Sequence, residues 1–139
     1  MRSPGNACIL VEQFIACINR GDVDGLGRLM TEDHQLRVFD EPPLVGRAAN
    51  LDAWRGYADQ FPRYAISPHR MAQQANVVAV LGHTTGSHLG LPDDQESQLT
   101  LIWLAEVSQD ALRSWTLVPD SPDNRARYGL QAAAGRGAD

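Results

Sequence analysis

The segment FIACINRGDVDGLGRLMTEDHQLRVFDEPPLVG, residues 14–46, is the most informative part of the chain. It opens inside a helix, and Gly21 supplies the left-handed residue that commonly ends one. Asp22 can cap a second, short helix directly. Residues 34–40 then alternate as a strand, which Pro42-Pro43 ends because proline cannot donate to a strand ladder. The segment therefore predicts helix, helix and strand in quick succession.

The inward face of that strand decides what the protein can do. Alternate side chains of a strand point to the same side, so His34, Leu36, Val38 and Asp40 are predicted to share this face. Two of the four are aliphatic. The sequence therefore says more about the fold than about a reaction.

The rest of the chain extends this opening into an α+β arrangement. A first helix is predicted from Ser3-Pro4 to Gly21, and a third over residues 50–61, ending before Pro62. Four strands separated by polar turns are predicted at residues 64–73, 77–88, 98–107 and 112–118. Helices first and strands second is an α+β order. We expect one domain over residues 1–130 and a disordered Ala/Gly-rich tail over residues 131–139.

Composition and charge limit the class of protein. A chain of 139 residues, 43% of them hydrophobic, suits a single domain with its own core. The formal net charge of −5 argues against nucleic acid or an anionic membrane as partner. No signal peptide or membrane-spanning stretch is readable, so we expect a soluble, cytoplasmic protein. Cys8 and Cys17 are expected as free thiols on opposite faces of the first helix.

Two segments carry a family resemblance, NRGDVDGLGRLMTED at residues 19–33 and ALRSWTLVPDSPDNRARYGL at residues 111–130. Over about residues 8–130 the chain resembles the SnoaL-like and ketosteroid-isomerase-like proteins of the nuclear transport factor 2-like superfamily. The resemblance implies a cone-shaped α+β fold, in which three N-terminal helices pack on a curved antiparallel (mixed) β-sheet around a central pocket. It also implies a homodimer, because family members usually pair through the outer face of the sheet. Activity must still be argued from the site itself.

The catalytic groups of steroid isomerases and polyketide cyclases are missing where the resemblance places them. The base and two oxyanion donors of the isomerases fall on Val38, Phe14 and Trp103, none of which transfers a proton in this role. The cyclases use an aspartate near the end of the last strand. Asp120 lies close to that position but follows Pro119, which takes it out of a regular ladder.

Limonene epoxide hydrolase uses an Asp-Arg-Asp relay to activate a water molecule. The resemblance places that relay on Val77, Ala79 and Leu117, which are all aliphatic. The known chemistries of these relatives are therefore not supported by the residues of this chain.

Three side chains remain as catalytic candidates. Asp40 is predicted near the pocket mouth, where apolar walls would raise its pKa and suit a general base or a ligand contact. Its simpler interpretation is a solvated cap of the proline turn. His34 is a candidate proton shuttle or ligand anchor, or else a satisfied edge residue. Tyr57 is a candidate hydrogen-bond donor, or else part of an aromatic roof.

The ligand-binding wall is predicted to be apolar and largely aromatic. Its predicted members are Phe14, Val38, Trp54, Phe61, Trp103, Trp115 and Leu117. No metal site or cofactor is expected, because His83 and His88 face opposite sides of one strand and His69 is remote on another.

Two functions fit this pattern. We favour a protein of uncharacterised activity that binds a small, mostly apolar ligand in the cone pocket. The alternative is a cofactor-independent isomerase, cyclase or hydrolase that acts on a small carbonyl or cyclic compound with Asp40 as general base.

Overall fold

The computed structural model describes residues 4–131 and begins with helix α1, Pro4–Arg20. Gly21 (φ +67°) ends this helix in the left-handed conformation, as its glycine predicts. The Asp22 side chain accepts a hydrogen bond from the Gly25 N–H at 2.9 Å and caps helix α2, Val23–Arg28. The predicted cap at Ser3 and residues 132–139 of the predicted tail lie outside the described residues.

Strand β1, Met30–Val38, begins and ends earlier than the alternation predicts. It begins earlier because Met30 pairs with Leu112, a long-range contact that no local pattern contains. It ends earlier because Phe39 takes a left-handed backbone conformation (φ +52°), which breaks the alternation before Asp40. A two-residue strand β2, Leu44–Val45, pairs antiparallel with β1 and was not predicted.

Helix α3 and four long strands complete the fold. Helix α3 spans Arg47–Gln60, three residues earlier at its start than predicted. The strands are β3 Ala65–Gln74, β4 Val77–Thr85, β5 Thr100–Ser108 and β6 Ala111–Pro119. Two short helices, α4 (Asp93–Glu96) and α5 (Pro122–Arg127), lie before β5 and after β6. The first of them replaces a predicted turn.

Six strands of the described residues form one curved, unclosed sheet in the order β2-β1-β6-β5-β4-β3. Strands β1 and β6 are parallel and every other neighbouring pair is antiparallel. This is the mixed α+β architecture that the sequence predicts, in which α2 contacts both α1 and α3, and α1 and α3 contact the strands of the sheet.

The two faces of the sheet have separate cores. On the inner face, side chains of the helices and strands form the larger core, which includes Phe14, Leu26, Val78, Val80, Trp103 and Trp115. On the outer face, Leu130 packs against Ala79, Leu81 and Ile102. The C-terminal segment therefore covers part of the outer face, and the inner face is left to the helices and to a cavity.

Within residues 4–131, no helix is long and apolar enough to cross a membrane. Cys17 is buried, Cys8 is half-buried, and both are free thiols.

Candidate functional site

A cavity of about 210 Å³ lies between α3 and the inner face of the sheet. Strands β1, β5 and β6 form one wall and helix α3 the opposite one. Among the described residues, the lining is made by Leu36, Val38, Ala53, Trp54, Tyr57, Tyr64, His88, Trp103, Trp115 and Leu117. None of these side chains carries a carboxylate, an amine or a guanidinium group.

Strand register explains why the sheet side of the cavity is apolar. Val38 of β1 lies beside Leu117 of β6, and Leu117 lies beside Trp103 of β5. Leu36 lies beside Trp115 in the same way. Neighbouring strands therefore bring inward-facing residues into one continuous surface.

The aromatic rings of this surface pack against each other and against Phe14. The rings of Trp103 and Trp115 stack at a centroid distance of 6.4 Å, and Phe14 packs on Trp115 at 4.9 Å. Phe14 is fully buried and does not line the cavity. Phe14 therefore lies behind the cavity wall, where the Trp115 ring covers it, and its predicted ligand contact stays a prediction.

Three aromatic residues form the helix side of the cavity. Tyr57 packs edge-on against Tyr64 at 4.9 Å, and Trp54 contacts both rings at 6.4 Å. Phe61 packs on Tyr57 at 4.7 Å but is not part of the lining. Phe61 packs on Tyr57 and His88 from outside the cavity, and its predicted ligand contact stays a prediction.

The polar groups of the cavity are few. The Tyr57 hydroxyl lies 2.8 Å from His88 Nδ1 and accepts a hydrogen bond from the His88 backbone N–H at 3.1 Å. Burial raises the pKa of Tyr57 and, more strongly, that of Tyr64, so both phenols remain protonated at neutral pH. The indole N–H of Trp54 is buried and has no partner among the described residues.

Asp40 does not lie in this cavity. It is exposed in the turn after β1, two residues beyond the end of the strand, and is not among the lining residues. The predicted inward placement of Asp40 is wrong, because the left-handed Phe39 ends the alternation on which it depended. The simpler interpretation, a solvated turn residue, describes its surroundings.

His34 faces inward as predicted but lies deeper than the cavity. It is fully buried, with Nδ1 2.8 Å from the Leu112 carbonyl oxygen and its ring 6.0 Å from that of Phe14. Its Nε2 has no partner among the described residues, and burial lowers the pKa of the imidazole. His34 therefore does not line this cavity, and its predicted role as a proton shuttle or ligand anchor stays a prediction.

His69 and His83 are neighbours, which corrects the expectation that His69 is remote. His69 Nε2 lies 2.7 Å from His83 Nδ1 across strands β3 and β4. The register between these strands shifts between Pro68 and Arg70, and the extra residue, His69, is turned toward His83. No group of three or more metal-ligating side chains occurs within residues 4–131.

The two β4 positions that the resemblance assigns to the epoxide hydrolase relay are displaced by one residue from the inner face of the sheet. Val77 borders a groove on the outer face, and Ala79 packs there against the C-terminal segment. The inner-face neighbours are Val78 and Val80, which are also aliphatic, so the relay of the epoxide hydrolase is absent in either register.

Six predicted residues therefore line the cavity: Val38, Trp54, Tyr57, Trp103, Trp115 and Leu117. Their role in binding stays a prediction. Leu36, predicted on the inward face but not as a ligand contact, also lines the cavity, and Ala53, Tyr64 and His88 were missed. Ala53 precedes Trp54 on α3, so a helical projection of that helix could have found it, whereas Tyr64 and His88 lie just outside strands and carry no periodic signal.

The comparisons with known proteins agree with this architecture. A family model described as the SnoaL-like domain matches residues 11–115. None of the curated proteins matches the chain. The chain belongs to the SnoaL-like domain family.

Solved structures show the same fold at low sequence identity. An uncharacterized cystatin-fold protein from Novosphingobium aromaticivorans is 16% identical, with a TM-score of 0.69 over 81% of this chain and 97% of the other. Bal32a, from a soil-derived mobile gene cassette, is 14% identical, with a TM-score of 0.69 over 92% and 98%. An epoxide hydrolase of M. tuberculosis, similar to limonene epoxide hydrolase, is 14% identical, with a TM-score of 0.63 over 84% of each chain. Identities this low establish the fold alone.

Proposed function

We propose that this protein binds a small, mostly apolar ring compound in the cavity between α3 and the sheet. The observation that carries the proposal is the lining itself, which is aromatic and aliphatic on both sides and, among the described residues, includes no carboxylate, amine or guanidinium group. A concave, mostly apolar site with a few polar groups is the usual form of a small-molecule site.

The cavity volume limits the size of the ligand. An apolar cavity of about 150 Å³ holds benzene. A volume of about 210 Å³ suits a substituted single ring or a compact pair of fused rings. Steroid-sized ligands would need the cavity to widen.

The polar groups support a ligand that carries one oxygen. A buried donor without a partner costs about 1–3 kcal/mol. The Trp54 indole N–H is such a donor on a residue that lines the cavity. The N–H is closed off from the cavity in the unliganded structure, so a ligand oxygen that turns the Trp54 ring would give it the acceptor it lacks.

Catalysis with Asp40 as general base has no support from this geometry, since Asp40 is exposed outside the cavity. Binding therefore remains the function that the site supports best.

Tryptophan fluorescence offers a direct test, because Trp54, Trp103 and Trp115 are the three tryptophans of the chain and all line the cavity. Tetralin and 1-tetralone share a fused two-ring frame and differ by one carbonyl. We expect both compounds to change the fluorescence and to raise the melting temperature, and a ligand at 100 times its Kd adds about 2.7 kcal/mol of stability.

Two variants of helix α3 provide the control. Ala53 lines the cavity and Ala48 does not, and both are exposed. Ala53→Phe should fill the mouth and weaken binding at least tenfold, whereas Ala48→Phe should bind as the unchanged protein does. Equal binding by the two variants, or no response to either compound, would contradict the proposal.

We also propose a homodimer through the outer face of the sheet. A groove of about 460 Å³ lies on this face, bordered by Arg37, Leu104, Glu106, Arg113 and other side chains of mixed character. Opposite charges on one face can pair across a two-fold axis. Light scattering at micromolar concentration should give twice the 15.2 kDa mass of the chain, and a monomer mass would refute the dimer.

A further inference from the structure

His69 and His83 form a close pair of imidazoles on neighbouring strands, outside the cavity. His69 Nε2 lies 2.7 Å from His83 Nδ1, and the two ring centroids are 4.9 Å apart. His69 is exposed and His83 is half-buried. One nitrogen of each ring therefore faces the other ring at a position that solvent can reach.

The fold brings the two rings together through the register shift between β3 and β4. His69 is the extra residue at this point, where the pairing of β3 shifts between Pro68 and Arg70. A bulge of this kind aims a side chain in a new direction. Gly82 of β4 permits the close approach of the strands, because a Cβ there would lie 2.4 Å from the Ser67 carbonyl oxygen.

Hydrogen bonds on either side of the bulge hold β3 in place. Asn19 of helix α1 contacts both backbone groups of Ile66: its Nδ2 donates to the carbonyl oxygen at 3.0 Å, and its Oδ1 accepts from the N–H at 2.8 Å. After the bulge, Arg70 donates to the Leu130 carbonyl oxygen at 2.5 Å. His69 lies between these two anchors, so the backbone of the strand fixes the spacing of the pair.

The distance between the facing nitrogens is close to the spacing of two ligands on one metal ion. Bonds from a metal to an imidazole nitrogen are about 2.0–2.1 Å long. Two such nitrogens at right angles around an ion are therefore about 2.8–3.0 Å apart, and at tetrahedral angles about 3.3–3.4 Å apart. The 2.7 Å between His69 Nε2 and His83 Nδ1 is nearer to the right-angled spacing. Right-angled sites with nitrogen ligands are typical of Cu²⁺ and Ni²⁺, whereas Zn²⁺ prefers tetrahedral sites.

We propose that His69 and His83 are a binding site for a divalent metal ion that takes its ligands at right angles, as Cu²⁺ and Ni²⁺ do. The site is separate from the cavity and does not depend on the proposed ligand binding. Within residues 4–131, no third histidine, cysteine or carboxylate joins the pair. Water therefore fills the remaining positions of the ion.

Binding exchanges one hydrogen bond for two bonds to the metal. In the neutral pair, one ring donates its N–H to the lone pair of the other. When the ion binds, the donor ring carries this hydrogen on its second nitrogen, so no proton is lost from the pair. Both facing nitrogens then give a lone pair to the ion, which releases two of its waters, and the rings turn toward it.

The charges near the pair favour a cation. The buried carboxylate of Glu96 accepts a hydrogen bond from the Thr84 hydroxyl, one residue after His83. The formal net charge of −5 adds attraction at longer range. Arg70 opposes this attraction, but it is exposed, so solvent screens its charge.

Calorimetric titration of the untagged protein with Ni²⁺ tests the site at about pH 7.5, where an ordinary imidazole is mostly neutral. We expect one ion per chain and weaker binding of Zn²⁺. His69→Gln and His83→Gln should each weaken Ni²⁺ binding about tenfold or more, because the remaining imidazole loses its second ligand on the same molecule. The control is Asp52→Asn, which changes an exposed carboxylate on α3 and should leave Ni²⁺ binding unchanged.

Electron paramagnetic resonance of added Cu²⁺ gives an independent readout of the ligands. The unchanged protein should show coupling to two imidazole nitrogens, and either histidine variant coupling to one. Because His69 is exposed, His69→Gln tests the site even if His83→Gln alters folding. No heat of Ni²⁺ binding, binding that His69→Gln leaves unchanged, or tighter binding of Zn²⁺ than of Ni²⁺ would overturn the inference.

Discussion

Arg125 donates two hydrogen bonds to the carboxylate of Asp120, from Nε at 2.7 Å and from Nη2 at 2.8 Å. Asp120 also accepts a hydrogen bond from the Thr100 hydroxyl. The pair ties helix α5 to the ends of β5 and β6 at a point where the Asp120 side chain is only 11% exposed. Asp120, near the position of the cyclase aspartate, is therefore a structural residue in this chain.

Replacing Asp120 should destabilise the fold. Asp120→Asn removes the charge that Arg125 and Thr100 contact, and hydrogen bonds to charged groups contribute about 1.5–3 kcal/mol each. The Arg125 side chain is 36% exposed, so solvent screens the pair. We therefore expect the free energy of unfolding to fall by only about 1–2 kcal/mol. Urea denaturation measures this loss. Glu32→Gln, which breaks the exposed pair with Arg47, should cost under about 0.5 kcal/mol, and equal losses would contradict the assignment.

The same pair predicts acid sensitivity. The hydrogen bonds from Arg125, opposed by burial and aided by Thr100, lower the pKa of Asp120 to about 2. A lowered carboxyl pKa stabilises the folded state above the unfolded value, which is about 3.9, and this contribution disappears as the pH falls through the folded pKa. The difference in stability between the unchanged protein and Asp120→Asn should therefore shrink between about pH 4 and pH 2.

Glu96 should stabilise the segment of residues 84–88 as a carboxylate and not merely as a polar side chain. Burial raises its pKa, but hydrogen bonds from Ser87 and Thr84 outweigh that effect and leave the pKa lowered. Glu96→Gln would place an NH₂ group where donors now converge, at a cost of about 1–3 kcal/mol. Asp94→Asn, on the same short helix but exposed, is the control and should change stability by under about 0.5 kcal/mol.

Chemical denaturation would measure the change in stability of each variant, and amide hydrogen exchange would locate the change that Glu96→Gln causes. In Glu96→Gln, the Ser87 amide should exchange faster with solvent, because it donates to this carboxylate. Unchanged exchange at Ser87 would show that Glu96 does not hold this segment.

His34 predicts a second dependence on pH, in a higher range. Burial lowers its pKa, while its contacts with the Leu112 carbonyl and the charge of Asp33 only partly compensate. The unfolded chain therefore binds this proton more readily, so stability should be complete above the unfolded pKa of about 6.5 and fall as the pH drops below it. His34→Gln should weaken this dependence between pH 7.5 and pH 5, measured by urea denaturation. The same loss of stability in both proteins over that range would contradict the prediction.

The sequence predicted those parts of the fold that depend on local rules. Gly21 ends α1 and Asp22 caps α2, because backbone conformation and capping act within a few residues. The inward face of His34, Leu36 and Val38 follows from alternation within one strand, and the family resemblance supplied the topology. The α+β class and the SnoaL-like family are confirmed.

The site was less predictable, because it depends on where strands end and how they pair. Asp40 was assigned to the cavity by extending an alternation past Phe39, whose left-handed backbone could not be read from the sequence. His69 and His83 meet through a register shift that arises only on pairing. His88 reaches Tyr57 across 31 positions, a contact that no spacing rule contains.

Gly82 should be essential to the register shift between β3 and β4. A Cβ added there would lie 2.4 Å from the Ser67 carbonyl oxygen and 3.1 Å from Pro68 Cα, and backbone atoms cannot move aside as a flexible side chain can. Gly82→Ala should therefore lower the free energy of unfolding by about 1–3 kcal/mol.

Gly56 is the matched control, because it is exposed on α3 with no atom within 4 Å of such a Cβ. Gly56→Ala should raise stability by about 0.5–1 kcal/mol, since alanine favours a helix. Thermal and urea denaturation of the two variants should thus shift in opposite directions, and a stable Gly82→Ala protein would mean that the strands can pair without the tight approach at Ser67.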